Sequence, residues 1–157
     1  MILSLNVGVG DTLHVFDPNN GRRTVLSPDF RVMRDTPIPQ RIGRMQTILL
    51  ARDQVLMNAP IRTGERAGLP LHVVGTNGTI VRSFGAVNPT VLSAISLDDS
   101  RVVAQSKGGG VWSACINEYT IELWDLAGIL RASFSRQADW FVRNDKWDGH
   151  DGSPPPS

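Results

Sequence analysis

A thirteen-residue pattern recurs three times in this 157-residue chain and limits what it can fold into. The copies are TVLSPDFRVMRDT (24–36), HVVGTNGTIVRSF (72–84) and ELWDLAGILRASF (122–134). In each, an apolar pair (Val25-Leu26, Val73-Val74, Leu123-Trp124) runs into a small turn residue, Ser27, Gly75 or Asp125. Three residues later stands Phe30, Gly78 or Gly128, and a second apolar strand follows that carries Arg34, Arg82 or Arg131. Asn77-Gly78 and Ala127-Gly128 supply the positive φ of a tight turn, so each copy reads as a β-hairpin.

Two further apolar runs precede each hairpin. They are ILSLNV and TLHVFD in the first unit, QTILLA and QVLMNA in the second, and RVVAQS and VWSACI in the third. Each unit is therefore a four-stranded antiparallel meander of roughly fifty residues, the size and strand count of a β-propeller blade. Burial gives the reason. Both faces of such a sheet carry apolar residues, and one sheet alone covers neither. Stacking against a neighbour hides them, with Phe16, Phe84, Trp124 and Phe134 as wedges, each worth roughly 1.5–3 kcal/mol when buried. The fold class expected is all-β, about three propeller blades over 1–37, 45–85 and 100–136, in a propeller domain spanning 1–141. Three blades make an incomplete ring, because propellers typically have about four to eight. The expectation is part of a longer propeller, or copies that associate through open blade edges. The polar, proline-rich 142–157 reads as a disordered tail.

A net charge of +1 and the lack of any Lys/Arg run give no electrostatic case for nucleic acid. No apolar stretch is long enough to span a membrane as a helix. The first seventeen residues have neither a basic start nor a long apolar run, so they read as strand rather than signal peptide. Cys115 is the single cysteine, which leaves no intramolecular disulfide, and its apolar neighbours mark it as a small buried residue.

The run GDTLHVFDPNNGRRTVLSPDFRVMRDT (10–36) resembles the repeat of bacterial six-bladed β-propellers of the NHL-repeat-like, TolB-like group. Asp17, Asn20, Arg22, Ser27 and Asp29 fit that repeat, whereas Gly21 intrudes and Phe30 replaces the expected glycine. GGVWSACINEYTIELWDLAGILRASF and the following ADWF are similar to its middle blades. The resemblance implies a partial propeller and an exported, periplasmic or secreted, setting. It implies no particular activity.

The residues able to carry chemistry also have plainer roles. His14 and His72 both stand in a Leu-His-Val triplet, which invites a metal hypothesis. The strand assignment does not bring them together, so exposed strand faces are the simpler reading; His150 lies in the polar tail. Asp17, Asn19 and Asn20, and also Asp98 and Asp99, offer clustered oxygens, but not at calcium-loop spacing; turn-making suffices for them. KGGG (107–110) has no P-loop context and reads as a flexible hairpin. Arg34, Arg82 and Arg131 could ring an acidic ligand; a solvated face is simpler. The insertion PIRTGERAGLP (60–70) and the long link 85–100 are the loops where a ligand surface is expected. No catalytic residue, cofactor or metal site is assigned. The reading is a non-catalytic scaffold that binds a protein, peptide or small ligand through its loops. The alternative, which the resemblance to the wider propeller group implies, is a metal-dependent propeller hydrolase or lyase whose full site needs further blades.

Overall fold

The computed structural model describes residues 4–17, 20–38, 46–59, 61, 64–86, 101–115 and 119–136. The tail at 142–157, with His150, lies outside them, as do Asn19, Asp98 and Asp99. Twelve strands are present among the described residues: β1 (Ser4–Val7), β2 (Leu13–Asp17), β3 (Arg22–Leu26), β4 (Val32–Pro37), β5 (Gln46–Leu49), β6 (Val55–Asn58), β7 (Leu71–Val74), β8 (Ile80–Phe84), β9 (Arg101–Gln105), β10 (Val111–Cys115), β11 (Thr120–Trp124) and β12 (Leu130–Ser135). They form three four-stranded antiparallel sheets, each paired in chain order. The first strands lie side by side, β1 beside β5 and β5 beside β9. The sheets therefore fan outward from their first strands, as propeller blades do from an axis.

The repeat is visible at atomic level. The amides of Ser27, Gly75 and Asp125 donate to the carbonyls of Arg31, Thr79 and Ile129 at 2.9, 2.9 and 3.0 Å. The amides of Phe30, Gly78 and Gly128 donate back to residues 27, 75 and 125 at 2.9, 3.0 and 3.0 Å. In each sheet the register then slips at the same step, Val25/Leu26, Val73/Val74 and Leu123/Trp124. The closing residue has φ of 61° at Phe30, 83° at Gly78 and 84° at Gly128. Glycine reaches this region freely, whereas a side-chain residue is strained there by about 1–2 kcal/mol. Phe30 is 74% exposed, so its ring recovers little of that by burial. Phe30→Gly should raise stability in dilute solution by about 0.5–1 kcal/mol, after the extra freedom glycine gives the unfolded chain. A urea midpoint that stays or falls would contradict this.

The core consists of two slabs between sheets. Phe16, Ile38, Val55, Met57, Ala59 and Val74 fill the first; Leu56, Leu71, Val73, Phe84, Val111 and Trp124 dominate the second. β6 and β7 are buried at every position, since the middle sheet is covered on both faces. Phe84 meets Trp124 across the second slab, ring centres 5.9 Å apart. Phe16, Phe84 and Trp124 are the wedges expected from the sequence, but Phe134 is 60% exposed. It sits on the outer face of the third sheet, with no described sheet beyond it. Cys115 is half-buried rather than fully enclosed.

Polar groups set the spacing of the fan near the axis. Asn6 Nδ2 donates to Thr47 Oγ1 at 2.6 Å, and Ser4 and Thr47 hydroxyls are also 2.6 Å apart. The Gln46 amide donates to the Val103 carbonyl and accepts from the Val103 amide, both at 2.9 Å. A side-chain amide thus pairs with β9 as a further strand would.

Register also identifies the two outer faces. On the third sheet, Val102, Ala114, Ile121 and Phe134 form one row and Ala104, Trp112, Leu123 and Ala132 the next. Every position of both rows is apolar. On the first sheet the rows are Leu5, Val15, Thr24 and Asp35, then Val7, Leu13, Leu26 and Val32.

Candidate functional site

The β1–β2 and β3–β4 turns lie at one end of the first sheet, and the β5–β6 turn at the same end of the second. Between them is a cleft of about 480 Å³. Val9, Val25, Met33, Leu49, Leu50 and Ala51 give it aliphatic walls, while Thr12, His14, Arg34, Arg52 and Asp53 supply polar groups. Strand alternation puts His14 (β2), Val25 (β3) and Arg34 (β4) in one row facing the second sheet. The β5–β6 turn brings Asp53 to meet them, held in a left-handed conformation at φ 59°.

A buried charge network forms the floor. Arg23, only 2% exposed, donates from Nε to His14 Nδ1 at 3.2 Å and from Nη1 to the Asp53 backbone carbonyl at 3.0 Å. Its Nη2 pairs with Asp53 Oδ1, and Arg34 Nη2 pairs with Asp53 Oδ2. One carboxylate therefore bridges two guanidinium groups from the neighbouring sheet. Burial pushes the Asp53 carboxyl up, but hydrogen bonds from Arg34 and Arg23 and their charges outweigh it and hold the group below its ordinary value. An arginine only donates, so His14 Nδ1 accepts and the ring proton sits on Nε2. That nitrogen lies 3.3 Å from Thr12 Oγ1, whose hydroxyl donates to the Val9 carbonyl at 3.0 Å.

His72 is a separate structural group. It is 1% exposed; Nε2 donates to the Ala59 carbonyl at 2.7 Å, and Nδ1 lies 2.7 Å from Ser83 Oγ. Both histidines are thus buried between sheets, which corrects the expectation of exposed strand faces. Each faces the joint between the first and second sheets, where its polar atoms are satisfied by hydrogen bonds. They do not share a site.

Burial pushes the pKa of His14 and of His72 below 6.5, and the Arg23 charge adds to the effect at His14. The unfolded imidazoles take up protons near about 6.5 while the folded ones resist. The unfolded chain then binds more protons, and stability falls as pH drops below that value. Each histidine can lower stability by at most about 1.4 kcal/mol per pH unit below its unfolded pKa. Urea midpoints should therefore decrease from pH 7.5 to 5.5, and a flat profile would contradict the assignment.

The recurring arginines are neither a ring nor simply solvated. Arg34 reaches Asp53 in the next sheet, and Arg82 Nη1 donates to the Leu126 carbonyl in the β11–β12 turn of the sheet after it. Both are latches to the following sheet. Arg131 is out of step by one residue. It falls at the register slip and pairs with Asp125 of its own turn, at 2.9 Å from Nε and 2.6 Å from Nη2. The residue matching Arg34 and Arg82 in register is Ala132.

Asp17 uses its carboxylate in its own turn, accepting from the Asn20 amide at 3.1 Å and the Asn20 side chain at 2.6 Å. KGGG closes a tight hairpin, with Ser106 N donating to the Gly110 carbonyl at 2.9 Å. Among the described residues no group of three or more His, Cys, Asp and Glu side chains is placed to hold a metal ion. No described helix is long and apolar enough to cross a membrane. The described part of the 60–70 loop, residues 61 and 64–70, lies between β6 and β7, at the opposite end of the sheet from the cleft; the 85–100 link is described only to residue 86.

Arg23 and Asp53 were not singled out in the sequence. Arg23 had a signal, since it shares strand parity with Val25 and so points inward. Asp53 had none, because its partners lie 19 and 30 residues away.

No protein-family model and no curated protein matches the sequence. Solved structures share the fold. Virginiamycin B lyase from Staphylococcus aureus superposes with a TM-score of 0.58 at 13% identity, over 87% of this chain and 42% of that one. The β-propeller domain of Cps50 (Swd1) from Myceliophteria thermophila gives 0.54 at 17% identity, over 86% and 43%. A protein of unknown function from Bacteroides caccae gives 0.52 at 12% identity, over 87% and 46%. The chain spans less than half the length of each. Its architecture is that of β-propeller blades.

Proposed function

We propose that the chain serves as a non-catalytic β-propeller scaffold that binds a peptide or small ligand in the cleft between its first two sheets. The cleft carries this reading: aliphatic walls closed on one side by an ordered Arg–Asp–Arg bridge. Among the lining residues, Arg34 and Arg52 against Asp53 leave an excess of positive charge, so a ligand with an apolar body and a carboxylate fits best. N-acetyl-leucyl-leucine is a suitable probe. In a methyl-labelled sample, millimolar probe should shift the Val9, Met33, Leu49 and Leu50 signals, and Arg52→Glu should weaken the effect about tenfold. No methyl response, or an equal response in the variant, would sink the reading.

The second reading is a metal-dependent hydrolase or lyase completed by further blades. The likeness to virginiamycin B lyase favours it, although the β-propeller domain of Cps50 is matched about as well. Stoichiometric divalent metal in purified full-length protein would favour this alternative.

Within the first reading we place the chain among exported, bacterial six-bladed propellers of the NHL-repeat-like group. Asp17, Asn20, Arg22, Ser27 and Asp29 support this. The propeller domain is taken as 1–141 and the remainder as a tail.

A further inference from the structure

The two internal joints obey one rule: the latch-bearing face of one sheet lies on the opposite face of the next. Among the described residues, the faces with no sheet packed against them are the outer face of the first sheet and the outer face of the third, which form a matching pair of this kind. We propose that the third sheet docks on the first sheet of a second copy of this chain, and that two such contacts close a two-copy ring.

Three observations carry it. The first is composition: the outer rows of the third sheet are wholly apolar, with Val102, Ile121 and Phe134 exposed by 53, 42 and 60%. The second is the opposing surface, where Leu5 and Val7 are exposed by 58 and 70% on the axis-side strand of the first sheet. Contiguous apolar surfaces of this kind mark sites of association. The third is position. At the internal joints, Gly78 abuts Pro37 and Gly128 abuts Phe84, each on the outer strand of the preceding sheet. The matching residue at the free end is Phe30, and the matching residue on the third sheet's outer strand is Phe134. Both are exposed aromatics, so the new joint would meet ring on ring at its rim. Ala132 replaces the latch arginine there. The contact therefore rests on apolar burial and, unlike the internal joints, places no arginine opposite a carboxylate or carbonyl.

The experiment is the solution mass of the full chain by sedimentation equilibrium. Twice 17.2 kDa is expected, and this should persist in high salt because no ion pair is involved. Ile121→Asp and Val7→Asp should each give monomer, with unchanged strand content by circular dichroism. Mixed together, these two variants retain one intact pairing and should recover a heterodimer. Leu5→Cys with Ala114→Cys should cross-link copies under oxidation. A well-folded 17.2 kDa monomer, a ladder of higher multiples, or variants that keep the wild-type mass would each overturn the proposal.

Discussion

Asp53→Asn should lower folding stability by about 3 kcal/mol, because removing one partner strands the other charge in the interior. Arg23 is almost fully enclosed between the first two sheets, and Asp53 is the carboxylate that neutralises it. The substitution keeps shape and leaves the backbone carbonyl that Arg23 also uses, so the loss reports charge rather than volume. It frees Arg34 as well, but that side chain is 41% exposed and regains water. Arg23→Met in the same background should restore most of the loss. A long apolar side chain fits the slab beside Phe16, and an apolar replacement for a buried ion pair is often neutral or better. Chemical denaturation of the wild type, both single variants and the double variant closes the cycle. Additive effects would show that the two side chains are not coupled, and the bridge would then have no energetic role. Total stabilities of about 5–15 kcal/mol make a 3 kcal/mol loss easy to read.

Gly78→Ala should be of similar size, about 3 kcal/mol, through a different cause. At φ 83° the added methyl is strained by about 1–2 kcal/mol before any neighbour is considered. That methyl would also overlap the Pro37 carbonyl oxygen, which belongs to the backbone of the preceding sheet and cannot rotate away. The rim of the first joint would have to open, exposing part of the slab around Ile38. Gly109 has nearly the same φ, 84°, but open space around its missing Cβ. Gly109→Ala therefore measures strain alone and should cost only about 1–2 kcal/mol. Equal effects at the two positions would show that the collision at the joint carries no weight.

The sheets were legible in the sequence because strand parity and turn glycines are local signals, repeated three times with nearly constant spacing. Phe16 and Trp124 could be named as wedges on the same basis. Phe134 could not: which of two apolar faces is covered depends on neighbours that a single strand does not encode. The histidines were misjudged for a related reason. A polar residue flanked by leucine and valine in a half-buried strand suggests an exposed face, unless a buried arginine or a half-buried serine waits on the neighbouring strand. Arg23 and Ser83 are such partners. Arg131 resembles Arg34 and Arg82 in the sequence repeat, yet the register slip moves it one place and turns it back on Asp125. The cleft was the least legible element. It is assembled from the β1–β2 turn, the β4 strand and the β5–β6 turn, and no single segment carries its pattern.

The apolar interior is divided into two slabs with the middle sheet between them, and this has a consequence for how the chain comes apart. Neither slab shares a residue with the other, so opening one leaves the other's contacts intact. Backbone amides of β6 and β7 should be the slowest to exchange with deuterated solvent, because both joints must be lost to expose them. Those of β4 and β12 should exchange by separate, shallower openings, one at each end. The molecule would then behave as a short stack of semi-independent layers, denaturing inward from its ends.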